Sequence, residues 1–150
     1  RGFRESLAAE GLTPGAVAGG DWSPRAGYEA TRRLVGVPGL SALFVANDHM
    51  AIGALRALQE AGLRVPADVS VIGFDDVPEA AYLSPPLTTL RQDFGQVGRR
   101  SLQLLLDQVG GAARTGRRVV IPPDLVVRDS TGLPAPATGA ATSSSAPSGA

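Results

Sequence analysis

Val71-Ile72-Gly73-Phe74-Asp75-Asp76 and, earlier in the chain, Phe44-Val45-Ala46-Asn47-Asp48 each run apolar for about a strand and stop abruptly at polar side chains. In an open α/β sheet, ligands bind outside the carboxyl ends of the strands. A side chain just past a buried strand is therefore aimed at that crevice by a rigid element. Here the two ends carry an amide, Asn47, and a carboxylate, Asp75, a pairing that suits a polyhydroxylated ligand.

Working outward, the spacing predicts strand, helix, strand and helix in alternation. Strand Ala42 to Ala46 precedes a helix capped by Asn47 or Asp48, with Met50, Ala54, Leu58 and Ala61 on one face and Gly62 as its stop. Strand Val69 to Phe74 follows. Solidly apolar strands in this alternation indicate a parallel sheet covered on both faces.

Upstream, a helix runs to about Glu10 and stops at Gly11. Ala16 to Gly19 reads as a short strand, and Ser23-Pro24 as a cap with proline at the first helical position. The helix that follows turns Leu34 and Val35 inward. Downstream, Leu87 to Leu90 is a strand, Phe94 to Val109 an amphipathic helix ended by Gly110-Gly111, and Val119 to Ile121 and Leu125 to Val127 two short strands split by prolines. The segment opens in helical pattern without Met or a cap, which reads as a piece beginning at a helix, with the strand before it left out. The sensor-like region spans residues 1–132. Residues 133–150, made of Ala, Ser, Thr, Gly, Pro and one Leu, are expected to form a disordered tail.

Composition excludes several chemistries. All 14 basic residues are arginine, and there is neither lysine nor cysteine. A phosphate-binding loop, a Schiff-base enzyme and an aspartyl-phosphate receiver domain each need a lysine, and thiol catalysis needs cysteine. Net charge is zero and no basic run stands out, so these residues are not expected to grip DNA. No stretch is long and apolar enough to span a bilayer. His49 is solitary and expected on a helix surface. Neither a metal site, a cofactor nor a catalytic triad is expected, and the chain does not read as an enzyme.

Four features need weighing. Asn47-Asp48 can cap a helix, contact a ligand, or do both. In Asp75-Asp76, adjacent carboxylates repel unless solvated or bonded, and Asp76 is the one expected to accept bonds from loop backbone. Trp22 (the sole tryptophan) and Phe94 lie at helix starts and serve either as core aromatics or as stacking platforms for a sugar ring.

Phe44 to Ala54 resembles the Ala-Asn-Asp-x-Met-Ala-x-Gly-Ala segment of the lactose/galactose-repressor (LacI/GalR) family. Gly62 to Asp76 resembles that family's Gly-Leu-Arg-Val-Pro-x-Asp-Val-Ser-Val-x-Gly-Phe-Asp-Asp, and Pro85 to Gln92 its Pro-Pro-Leu-Thr-Thr-x-x-Gln. The three segments fall in family order and spacing, and the likeness runs from Arg1 to about Thr131.

The resemblance implies an α/β, periplasmic-binding-protein-like type I sensor. Most of the chain would form its C-terminal lobe, and Leu87 to Val109 a crossover strand and helix of the N-terminal lobe. It implies a cytoplasmic transcriptional regulator, homodimeric, whose N-terminal helix-turn-helix headpiece, outside this chain, binds operator DNA. Carried over residue by residue, Asn47 and Asp75 match positions that bond ligand hydroxyls, Trp22 an aromatic packing on the sugar, and Gln92 and Phe94 positions reaching the pocket. The family's ligand-binding arginine falls upstream of Arg1, which does not replace it. The alternative is the solute-binding protein of a sugar transporter, which shares the architecture. Leu102, Leu105 and Leu106 are expected to form an exposed apolar patch.

Overall fold

The computed structural model describes residues 2–110 and 118–133. Residues 134–150 of the expected tail lie outside that range, as do Arg1 and Gly111. Four helices are described, α1 (Gly2–Ala9), α2 (Pro24–Leu34), α3 (Asp48–Glu60) and α4 (Phe94–Val109). With them run four strands, β1 (Ala42–Phe44), β2 (Ser70–Ile72), β3 (Thr89–Arg91) and β4 (Asp124–Val126), and a short 3-10 helix, Pro78–Tyr82.

β1 and β2 pair in parallel, with Leu43 opposite Val71 and Phe44 opposite Ile72. On the other edge of β2 the chain approaching β3 runs parallel, bridged at Ile72–Thr88 and Asp75–Arg91. β4 then pairs antiparallel with β3. Ser130 is wedged into the seam between β2 and β3. Its carbonyl accepts the Val71 N–H at 2.8 Å, its hydroxyl donates to the Val71 carbonyl at 2.6 Å, and the same oxygen accepts the Thr88 N–H at 2.7 Å.

α2, α3 and α4 each begin where a side chain satisfies an orphan backbone donor. Ser23 Oγ accepts the Ala26 N–H ahead of α2, with Pro24 at the first helical position. Asn47 Oδ1 accepts the Met50 N–H ahead of α3, and Asp93 Oδ1 the Gln96 N–H ahead of α4. Past the Ala61 cap, the chain leaves α3 at Gly62, whose φ of 74° is open to glycine at little cost. That turn lets Leu63 N–H reach the Leu58 carbonyl and Gly62 N–H the Gln59 carbonyl, both at 3.0 Å.

The core lies between the sheet and α3. It gathers Leu43, Val45, Leu58, Val69, Val71 and Leu87, with Met50 and the small residues Ala51 and Ala54. Leu58, Val69, Val71 and Leu87 are fully buried, each stabilising the fold by about 1.5–3 kcal/mol over exposure. α2 packs on α3 backbone to backbone. A methyl at Gly27 would sit 2.0 Å from the Met50 carbonyl oxygen, and one at Gly53 1.8 Å from that of Pro24.

Several local expectations are corrected. Ala16–Gly19 and Val119–Ile121 form no strand, because neither finds a ladder partner among the described residues. Strands β1 to β3 are three residues each, β3 beginning two residues later than expected, and β4 runs one residue earlier. Ala61, expected on the buried face, is the exposed C-cap of α3. Leu34 and Val35 do pack on the core. α4 buries none of its residues, and Leu102, Leu105 and Leu106 are all more than half exposed.

Candidate functional site

Register sets the site. Phe44 and Ile72 are partners across the β1–β2 ladder, and Asn47 and Asp75 each follow three residues later. Between them, Asp48 N–H donates to the Phe74 carbonyl at 2.9 Å. Both side chains therefore leave the same carboxyl-end rim of the sheet, on neighbouring strands.

Asn47 is 6% exposed and has two local duties. Its Oδ1 caps α3, and its Nδ2 donates to the Trp22 carbonyl at 3.1 Å. An amide offers two donors and two lone pairs, so one of each is left for a ligand. The bond to Trp22 ties the turn before α2 to the rim. Asp21 shapes that turn, its Oδ1 accepting the Ser23 N–H at 3.1 Å and the Ser23 hydroxyl at 2.6 Å. The Ser23 hydroxyl first, then its N–H, holds the Asp21 carboxyl below its ordinary pKa. Trp22 itself takes a φ of 72° and is 65% exposed, which removes the reading of it as a core aromatic.

Asp75 and Asp76 clasp two consecutive residues at the end of β3. Gln92 Nε2 donates to Asp75 Oδ1 at 2.7 Å. Arg91 Nε donates to Asp76 Oδ2 and Arg128 Nη2 to Asp76 Oδ1, both at 2.6 Å. Asp75 and Asp76 both have positive φ, 115° and 56°, and such conformations cost about 1–3 kcal/mol each unless the surroundings enforce them. Burial pushes the Asp76 carboxyl up, but the Arg128 and Arg91 guanidiniums outweigh it and leave its pKa below the ordinary value. Asp76 is thus structural as expected, although its partners are two arginines and not loop backbone.

Phe94 opens α4 two residues past Gln92, its N–H on the Gln92 carbonyl at 3.1 Å and its side chain 60% exposed. Direct bonds thus join Trp22 to Asn47, Asp75 to Gln92, and Gln92 to Phe94 through backbone. A concavity of about 350 Å³ runs along α4 between Gln96, Arg99, Arg100 and Gln103, and none of the strand-end residues lines it. His49 is exposed on α3, and no cluster of three or more metal-ligating side chains occurs among the described residues.

Sequence reasoning named Asp48 only as a cap or ligand residue and missed its buried network. Fully buried at the start of α3, it accepts the Thr89 hydroxyl at Oδ1 and the Val77 N–H at Oδ2. An acidic residue in a first helical turn is an ordinary sign of dipole compensation and does not announce burial. A sharper sign was Gly73, where a methyl would stand 2.1 Å from Asp48 Oδ1. Arg91 and Arg128 were also missed, because their partner lies 15 and 52 positions away.

The periplasmic binding protein-like domain family matches residues 1–131. The lactose operon repressor of Escherichia coli strain K12 is 41% identical over 136 residues, covering 89% of this chain and 37% of that protein. A crystal structure of the lac repressor dimer bound to operator and the anti-inducer ONPF superposes with a TM-score of 0.79 at 40% identity, over 87% of this chain and 46% of the other. A complex of the transcriptional regulator CelR with cellobiose gives 0.78 at 38% identity, over 86% and 40%.

The chain belongs to the periplasmic binding protein-like domain family, in the form carried by lactose/galactose-type repressors. It spans about two fifths of the length of the curated relatives it matches. No described helix is long and apolar enough to cross a membrane.

Proposed function

We propose that these residues form part of the effector-sensing domain of a cytoplasmic, homodimeric, LacI-type transcriptional regulator. A small sugar binds at the strand-end rim and controls operator binding by a helix-turn-helix headpiece outside this chain. The observation that carries the reading is the shared rim of Asn47 and Asp75 in the register of β1 and β2. Support for a sugar comes from the chemistry available there. Asp75 retains acceptor capacity for vicinal hydroxyls, Asn47 has a free amide N–H, and the exposed Trp22 offers a flat apolar face. Gln92 orients Asp75, and Phe94 contributes a second aromatic face. The cellobiose complex of a relative is consistent with that class.

Signalling requires that the effector bind one conformation better than the other. Asp75 is suited to this, because a carboxylate bonded to hydroxyls is satisfied fully only when an opposing lobe closes over the ring. In a full-length regulator carrying this segment, Asp75→Ala should abolish release of operator by galactosides while leaving operator binding intact. Normal induction of that variant overturns the assignment. The names of relatives, each a repressor, favour this reading over a transporter's solute-binding protein and over an enzyme.

A further inference from the structure

The proposed ligand carboxylate, Asp75, sits in a backbone conformation that an L-residue rarely adopts, and so does its neighbour Asp76. Something must hold both there. Gln92 bonds only the Asp75 side chain, and the Asp75 N–H reaches the Leu90 carbonyl at 2.8 Å. The stronger restraint is at Asp76, whose side chain is 8% exposed and accepts from two guanidiniums. Arg128, itself 18% exposed, reaches from the segment after β4 and also donates Nη1 to the Leu87 carbonyl at 2.8 Å. Three passes of the chain therefore meet at one carboxylate. A buried carboxylate stripped of such partners is strongly disfavoured, so the cluster fixes where residue 76 lies and, through the adjoining peptide, how Asp75 faces the rim.

We infer that Arg128 and Arg91, acting through Asp76, are positioning residues of the effector site, setting the orientation of Asp75 without touching ligand. This inference rests on the proposed sugar site for its functional consequence, but its structural half can be measured without any sugar.

The experiment uses a full-length regulator carrying this segment and two readouts. Amide hydrogen exchange at Asp75 should accelerate at least about tenfold in Arg128→Gln and in Asp76→Asn, while exchange at Leu58 in the core is unchanged, as local opening requires. Affinity for the probe methyl β-galactoside should fall about tenfold in Arg128→Gln, yet Arg128→Gln should add nothing in an Asp75→Ala background. Arg128→Lys should recover only part of the loss, since an ammonium cannot bond Asp76 and Leu87 in a planar fork. If Arg128→Gln does not fold, Arg91→Gln, altering the more exposed partner, takes its place. Unchanged exchange at Asp75, or equal affinity losses in both backgrounds, overturns the inference. If the unsubstituted protein binds no galactoside, the sugar reading fails and the exchange readout alone decides the positioning role.

Discussion

Thr89 Oγ1 donates to Asp48 Oδ1 at 2.7 Å, joining residues 41 positions apart, with both side chains shut off from water. The other oxygen, Oδ2, accepts the Val77 N–H at 3.0 Å. One carboxylate thus ties the first turn of α3 to β3 and to the loop after β2. Thr89→Val keeps the shape but removes the donor, and an orphaned buried acceptor costs about 1–3 kcal/mol, more when charged. Urea unfolding of the variant should show at least that loss. Unchanged stability would mean that the bond contributes nothing.

Asn47 lends itself to a pair of substitutions. Asn47→Asp keeps an oxygen to cap α3 but cannot donate to the Trp22 carbonyl, whereas Asn47→Ala loses both. The alanine variant should be less stable by about 0.5–2 kcal/mol, the usual span for a lost cap, and the aspartate variant by a comparable amount, because its second oxygen faces the Trp22 carbonyl unpaired at a buried site. Because Trp22 is the only tryptophan, its fluorescence anisotropy reports on the turn directly and should drop in both.

Gly53→Ala tests the contact of α2 with α3. Alanine is worth roughly 1 kcal/mol more than glycine inside an isolated helix. Here the added methyl would meet the Pro24 carbonyl at 1.8 Å and the Tyr28 nitrogen at 2.6 Å. Steric expulsion should prevail, with a net loss of about 1–3 kcal/mol, typical of overpacking. A rise in thermal midpoint would mean that the two helices have room to separate.

Acid should weaken the fold partly through Asp76. Its pKa is below the ordinary 3.8, with burial opposing the shift and the hydrogen bonds and charges of Arg128 and Arg91 imposing it. A carboxyl depressed in the folded state contributes stability in full above its unfolded pKa, and the contribution fades as pH falls through the folded value. Asp68 is lowered to about 2 by Arg64, but solvent surrounds that pair and its weight is small. Unfolding free energies measured from about pH 5 to pH 2 should fall less steeply in Asp76→Asn than in the parent, with Asp68→Asn nearly parallel to the parent. Identical slopes in Asp76→Asn and parent would remove Asp76 from this account.

Local chemistry was the legible part of the sequence. The bounds of α4, the Ser23 cap with Pro24, the Asn47-or-Asp48 cap and the stop at Gly62 all rest on contacts within four or five residues, and the structure has them. The shared rim of Asn47 and Asp75 was legible too, because parallel strands ending in polar residues admit few alternatives. Ala16–Gly19 and Val119–Ile121 misled because strand character depends on a neighbour that composition does not reveal. The Asp48 and Asp76 networks were hidden for a related reason. Whether an aspartate faces water or two arginines is decided by chain segments far away in sequence. Trp22 shows the opposite limit, since only the turn geometry reveals which way a lone aromatic points.

The wedge at Ser130 bears on synthesis. Val71 sits in the middle of the sheet, yet its carbonyl waits for a hydroxyl encoded 59 residues later. As the polypeptide is made, β2 can pair with the chain approaching β3 through the Gly73 N–H and the Thr88 carbonyl, but the bonds of Val71 wait for residue 130. Until residue 130 arrives, the Val71 N–H and carbonyl and the Thr88 N–H lack the partners that close this part of the seam.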